Sequence, residues 1–194
     1  ATSFQTTKVI ACGEGGIISC KNERDFLKIK NNIFYGKSDT QPRIFDKESG
    51  NFKLSEMNAA LAIADLERSH KRIERRKYID KLYKDNVSSR FFSYLEAPYN
   101  NNPSYYKTLF IAKNKEIREK IEIFFKENSI AMTGAVYREP LSVQPRVFNS
   151  KNYIDKKLPL TDEFCQLHFA PPNYPELEDS EVSRVIEVLN KFNS

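Results

Sequence analysis

No run of about eighteen apolar residues occurs in this chain of 194 residues, so no helical membrane span is expected from it. The first residues carry no basic segment leading into an apolar stretch, and a secretory signal is therefore not expected there. Cys12, Cys20 and Cys165 are too few and too irregularly spaced for a zinc site or a disulfide framework. That scarcity favours a reducing compartment, with the cytoplasm as the simplest location and no metal in the site. Only His70 and His168 represent histidine, and neither falls in a motif; both read as structural. Internal repeats and RNA-module signatures are missing as well.

What is present sets bounds of its own. A hydrophobic content of 40% allows one or two compact units, which would bury roughly 70% of the unfolded chain's surface, and excludes a disordered chain. The net charge of +5 raises the question of nucleic acid. Arg68, Lys71, Arg72, Arg75, Arg76 and Lys77 concentrate positive charge on one stretch, but Asp65, Glu67, Glu74 and Asp80 interleave with them. This pattern is a solvated helix face, so no nucleic-acid partner is expected. A basic RNA-binding protein remains the competing reading from another function class, and it would bind unrelated oligonucleotides with steep salt dependence.

Along the chain, Lys8 to Cys12 and Ile17 to Cys20 are apolar, β-prone runs around glycines, which predicts a hairpin-like pair. Asn22 can cap a helix over residues 23 to 34, where Phe26, Leu27, Ile29, Ile33 and Phe34 recur at helical spacing. Residues 36 to 50 read as a polar loop of mobile character. From Ser55, a capping residue, the spacing of Met57, Leu61, Ala64, Leu66, Ile73, Ile79 and Leu82 predicts one long helix to about Tyr83. Tyr105 to Ala112 and Ile130 to Tyr137 are strand candidates flanking a helix over 115 to 128 with Ile117, Ile121, Phe124 and Phe125 inward. Strand, helix, strand favours a sheet with helices on one side. Asp179 can cap a last helix whose buried stripe is Val182, Val185, Ile186 and Leu189.

The stretch richest in chemistry is Ser3-Phe4-Gln5-Thr6-Thr7-Lys8, followed after four residues by Gly13-Glu14-Gly15-Gly16. It sets one amine between a hydroxyl and a glycine-rich turn, the arrangement a Schiff-base lysine needs. A free lysine is protonated at neutral pH and becomes a nucleophile only when burial or cationic neighbours favour the neutral amine. The apolar run from Val9 to Cys12 can supply desolvation, and Gly13, Gly15 and Gly16 suit a sharp reversal. Taken alone, this pattern more often marks a strand end and a turn.

Residues 3 to 16 resemble the cofactor-lysine signature of the DegT/StrS family of pyridoxal-phosphate-dependent sugar aminotransferases. Two further blocks follow in the family's order. Gly50-Asn51-Phe52-Lys53-Leu54 resembles its Gly-x-Asn-aromatic-basic-Leu block, and Tyr137-Arg138-Glu139-Pro140-Leu141-Ser142-Val143-Gln144-Pro145 resembles its Tyr-x-x-Pro-Leu-His-x-Gln-Pro block. The ending from Phe169 to Ile186 also matches, so the resemblance covers nearly the whole chain.

The resemblance implies an α/β fold: the C-terminal part of a fold-type-I transferase, with the end of the large domain and a small α/β domain joined by a long helix. Residues 1–54 would be the remnant of the large cofactor-binding domain, 55–85 the inter-domain helix, and 86–194 the small domain. Lys8 would hold pyridoxal 5'-phosphate covalently and then carry the proton between substrate and cofactor carbons. Ser3 would donate to the cofactor phosphate. Asn51 would reach the phosphate of a neighbouring subunit, which implies a homodimer with shared active sites. Lys53 would meet substrate phosphate as a point charge in place of the family's frequent arginine. Tyr137 and Gln144 would line the substrate side, although Ser142 stands where the family usually has histidine and Gln5 where many members have histidine or tyrosine.

A lysine rather than a histidine at position 8 favours transamination over dehydration. The implied reaction takes a nucleotide-linked keto-deoxysugar, 4-keto-6-deoxy by the Gly-Glu-Gly-Gly turn, to the amino sugar with glutamate as donor, on the way to a surface polysaccharide or glycan such as O-antigen. The family's lysine signature follows a large N-terminal portion that holds further cofactor contacts, so the 194 residues alone are expected to bind cofactor poorly and not to turn over. The alternative is a non-catalytic remnant or interaction module with the same fold.

Overall fold

The computed structural model describes residues 1–38, 40–41, 43–45, 47–96, 103–133, 138–148 and 158–193. They divide into two units, Ala1–Lys71 and Arg72–Ser194, with the division falling inside a long helix.

The first unit begins with a small antiparallel pair, β1 (Thr2–Ser3) on β2 (Gly16–Ile17). Helix α1 (Glu23–Ile33) follows, and Asn22 caps it by accepting from the Asp25 amide at 2.9 Å. This agrees with the expected cap, since the asparagine side chain satisfies an amide that has no helical partner. None of the residues of α1 is buried. Its apolar positions, Phe26 and Leu27 among them, stand open at 51% and 45% exposure.

Helix α2 (Glu56–Asn86) starts where expected, with Ser55 Oγ accepting from the Asn58 amide at 3.2 Å. Between α1 and α2 the described residues are not a featureless loop. Ser38 N donates to Ile44 O at 2.8 Å, and isolated bridges pair Lys37 with Phe45 and Phe34 with Asn51.

The second unit carries the core. Strands β3 (Phe92–Tyr94), β4 (Phe110–Ala112) and β5 (His168–Phe169) form an antiparallel sheet in that order. Helix α3 (Lys115–Glu127) leaves β4. A 3₁₀ turn (Leu141–Val143), α4 (Pro145–Phe148) and α5 (Pro159–Leu167) lead into β5, and α6 (Asp179–Lys191) closes the unit. Ile79 and Tyr83 of α2 join Phe92, Phe110, Ile121, Phe125, Phe169, Val182, Val185 and Leu189 in one buried cluster. Phe92, Phe110 and Phe169 meet ring to ring at 5.2 to 5.6 Å between centroids, separations at which aromatic pairs add to simple burial.

The four expected helices, α1, α2, α3 and α6, match their positions, α4 and α5 have no counterpart in the expectation, and the strands do not match. The candidate strand from Tyr105 to Ala112 shortens to three residues, because pairing needs partners and β3 and β5 are themselves short. Of the candidate strand Ile130 to Tyr137, Thr133 makes one bridge to Ala170, and residues 134–137 lie outside the described residues. Asp179 is the first residue of α6 rather than its cap. Its carboxylate accepts from Arg75 Nη1 at 2.6 Å, while the preceding residue, Glu178, takes the cap position and its amide donates to Glu181 Oε2 at 2.9 Å.

Candidate functional site

The hairpin around Lys8 is built differently from the sequence expectation. Phe4 N donates to Gly15 O at 2.9 Å and Thr6 N to Gly13 O at 2.8 Å, so the arms are residues 2–6 and 13–17. Residues 8–12, expected as a strand, belong instead to the connection between the arms, which Cys12 N closes by donating to Phe4 O at 2.9 Å, and the glycines lie in the second arm. Gly16 shows why: a Cβ there would stand 2.8 Å from Thr2 O, so only glycine lets the arms approach this closely. Gly15 is required for its backbone instead: at φ +152° it holds a conformation that side-chain-bearing residues rarely adopt.

Lys8 therefore sits at the tip of a pinned loop, half-buried, with its amide donating to Gln5 O at 2.8 Å. Gln5 Oε1 accepts from both the amide and the hydroxyl of Thr7, at 2.9 and 2.6 Å. From α2, Asp65 Oδ2 accepts from Ala11 N at 2.8 Å, and Asn58 Nδ2 donates to Glu14 O at 2.8 Å. Both supports escaped the sequence reading. In the sequence Asp65 reads as one charge on a solvated face, whereas it lies two helical turns beyond Asn58 and shares with it the face that meets the hairpin.

Ser3 lies in β1, and its exposed Oγ accepts from Gln5 N at 3.3 Å. The hydroxyl proton stays available to another acceptor. Asn51 and Lys53 are held by the end of α1: Phe52 N donates to Ile33 O at 3.0 Å and Tyr35 N to Gly50 O at 3.0 Å. The Lys53 ammonium stands 5.3 Å from the ring centres of both Phe34 and Tyr35, within the range of cation–π attraction. Lys53 also lines a cavity of about 700 Å³ with Ile17, Phe26, Ile29, Phe34 and Leu54.

Gln144 is in the second unit, exposed, closing the 3₁₀ turn with its amide on Leu141 O at 3.1 Å. Tyr137 lies outside the described residues. His168 is structural, as expected. It is 3% exposed, its ring is stacked on Phe164 at 4.6 Å, and its Nδ1 is 2.7 Å from Phe164 O.

The model of the DegT/DnrJ/EryC1/StrS aminotransferase family matches residues 1–190. GDP-perosamine synthase of Escherichia coli O157:H7 is 23% identical over 192 residues, 99% of this chain and 51% of that protein. DesV of S. venezuelae, solved in complex with a ketimine intermediate, superposes with a TM-score of 0.84 at 19% identity over 97% of this chain and 50% of its own. Spr1654 of Streptococcus pneumoniae in its PLP form does so with a TM-score of 0.79 at 18% identity, over 97% and 50%. The chain thus spans about half the length of these relatives. It belongs to the DegT/DnrJ/EryC1/StrS aminotransferase family.

Proposed function

We propose that this chain is the lysine-bearing part of a pyridoxal-phosphate-dependent aminotransferase that converts a nucleotide-linked keto-deoxysugar to the amino sugar, with glutamate as donor. The observation that carries this reading is the coincidence of the family match over residues 1–190 with an amine held on a pinned loop at Lys8. In this reading residues 1–54 are the end of the cofactor-binding domain, 55–85 the linking helix and 86–194 the small domain.

The residues present fit the cofactor in part. Lys8 offers an amine that can condense with an aldehyde, and Ser3 offers a hydroxyl proton to a phosphate from the same hairpin. When bound, pyridoxal phosphate supplies the ring that accepts electrons from the substrate carbon. Lys8 anchors it and, once released, moves a proton at the substrate carbon through its Nζ, a positioned transfer typically worth ~10²–10⁴ in rate. Asp65 and Gln5 keep the loop from drifting and so fix where that nitrogen can reach. Asn51 serves the phosphate of a second subunit in a homodimer, Lys53 meets substrate phosphate, and Tyr137 and Gln144 face the substrate. No helix among the described residues is long and apolar enough to cross a membrane; a cytoplasmic enzyme is part of the proposal.

Borohydride reduction of the cofactor-loaded protein, followed by peptide mass mapping, tests the anchor. A modified Lys8 supports the reading, and a modification elsewhere overturns it. Incubation of the complete enzyme with glutamate and a panel of keto-sugar nucleotides tests the reaction, and no amino sugar from any of them would sink it.

A further inference from the structure

Arg118 is a charged side chain only 5% exposed, on α3 in the second unit. A buried guanidinium is costly unless its donors find partners, and each nitrogen of this one has a contact: Nε donates to His168 O at 3.4 Å, Nη1 to Glu122 Oε2 at 2.5 Å, and Nη2 faces Met132 Sδ at 3.9 Å. Arg118 and Glu122 are one helical turn apart and share a face. Glu122 therefore completes the shell of a buried cation, and its carboxylate is held in one place.

The same Oε2 accepts a second bond, from Arg138 Nη2. Arg138 and Glu122 are 46% and 40% exposed, which would ordinarily make a weak surface pair. Here one partner is already immobile, so only the arginine loses side-chain freedom when the pair forms. Among the described residues, the segment it ties down has few other holds. Leu141 and Val143 stand 77% and 51% exposed, leaving Pro140 as the buried residue between Arg138 and Gln144.

We propose that Glu122 is a positioning residue: anchored by buried Arg118, it holds Arg138 and thereby fixes the segment that presents Gln144. Its consequence for substrate rests on the aminotransferase reading above. The anchor itself does not.

Two measurements separate these. In the full chain, trypsin cleavage after Arg138 should accelerate about tenfold in Glu122→Gln, equivalent to about 1.4 kcal/mol, while cleavage at other sites stays within roughly twofold. In the holoenzyme, Glu122→Gln and Arg138→Gln should each raise KM for the sugar nucleotide several-fold at nearly constant kcat, and the double variant should add nothing beyond either single. Arg138→Gln leaves the Arg118 pair intact, so it remains informative if Glu122→Gln folds poorly. Unchanged cleavage at Arg138, or fully additive KM effects, overturns the proposal. A wild-type enzyme without transaminase activity, together with accelerated cleavage in Glu122→Gln, supports the anchor and sinks the aminotransferase reading alone.

Discussion

In the unit from 72 to 194 the aromatic rings face one another, whereas in the unit from 1 to 71 many face outward. Phe92 touches Phe110, Phe169 and Phe192, and each of these is at most 6% exposed. Phe26, Phe45 and Phe52 are 51%, 60% and 69% exposed, and Met57, Leu61, Ile63 and Leu66 are open along the first half of α2. Surface of this kind is what proteins bury against further polypeptide, and the relatives this chain matches are about twice as long. The first unit is held instead by the backbone bonds of its hairpin and by contacts such as Ala11 to Asp65 and Ser49 Oγ to Asn32 O at 2.7 Å, and among the described residues its buried hydrophobic side chains are those of Cys12 and Ala62. Stability and the proposed cofactor anchor are thus separated: one unit supplies the packed core, the other the lysine.

The sharpest way to break this division is at Lys8. On the proposed reaction, Lys8→Ala should lower turnover of the complete enzyme by at least ~10²–10⁴ while leaving the urea midpoint of the second unit in place. A turnover assay beside a denaturation curve checks both. Next comes the core, where Phe169→Ala should cost about 3–5 kcal/mol, read as a lowered urea midpoint. A midpoint that barely moved would mean that the aromatic cluster does not carry the second unit.

Alkali probes the same core through its phenols. Burial pushes the Tyr83 hydroxyl well above its ordinary pKa while it donates to Pro172 O at 2.9 Å, and burial followed by the hydrogen bond to Asp80 does the same for Tyr94. In the unfolded chain both release a proton near pH ~10, whereas the folded state keeps it. The stabilisation is therefore complete below that pH and declines as pH rises above it. Denaturation curves from pH 8 to 11 should show that decline, and it should be shallower in Tyr83→Phe. The smallest effect is expected on the open face of the first unit, where Leu27→Ser should change stability by no more than about 0.5 kcal/mol in thermal melts of the chain.

Helices α1, α2, α3 and α6 were legible because their signals are local. Asn22 and Ser55 cap amides three residues on, and the inward spacing of Ile121 and Phe125 belongs to one helix. The strands were not, since elements of two or three residues exist only through their partners. Val9 to Cys12 has the composition of a strand but forms the loop, because Ala11 spends its amide on Asp65, 54 residues away. The motif residues Ser3, Lys8, Asn51, Lys53 and Gln144 could be named from the sequence. The side chains that support them, Asp65, Asn58 and Glu122, could not, as each acts across a distance along the chain that no short pattern records.

The amino-acid order was enough for four helices, for the caps at Asn22 and Ser55, and for the motif order that resembles a sugar aminotransferase, because propensity, capping and periodicity act within a few residues. Which arms make the hairpin, which apolar faces close on one another and which carboxylates hold the loops follow from long-range contacts. Those choices depend on groups brought together from distant parts of the chain, where burial and hydrogen bonding outweigh local preference.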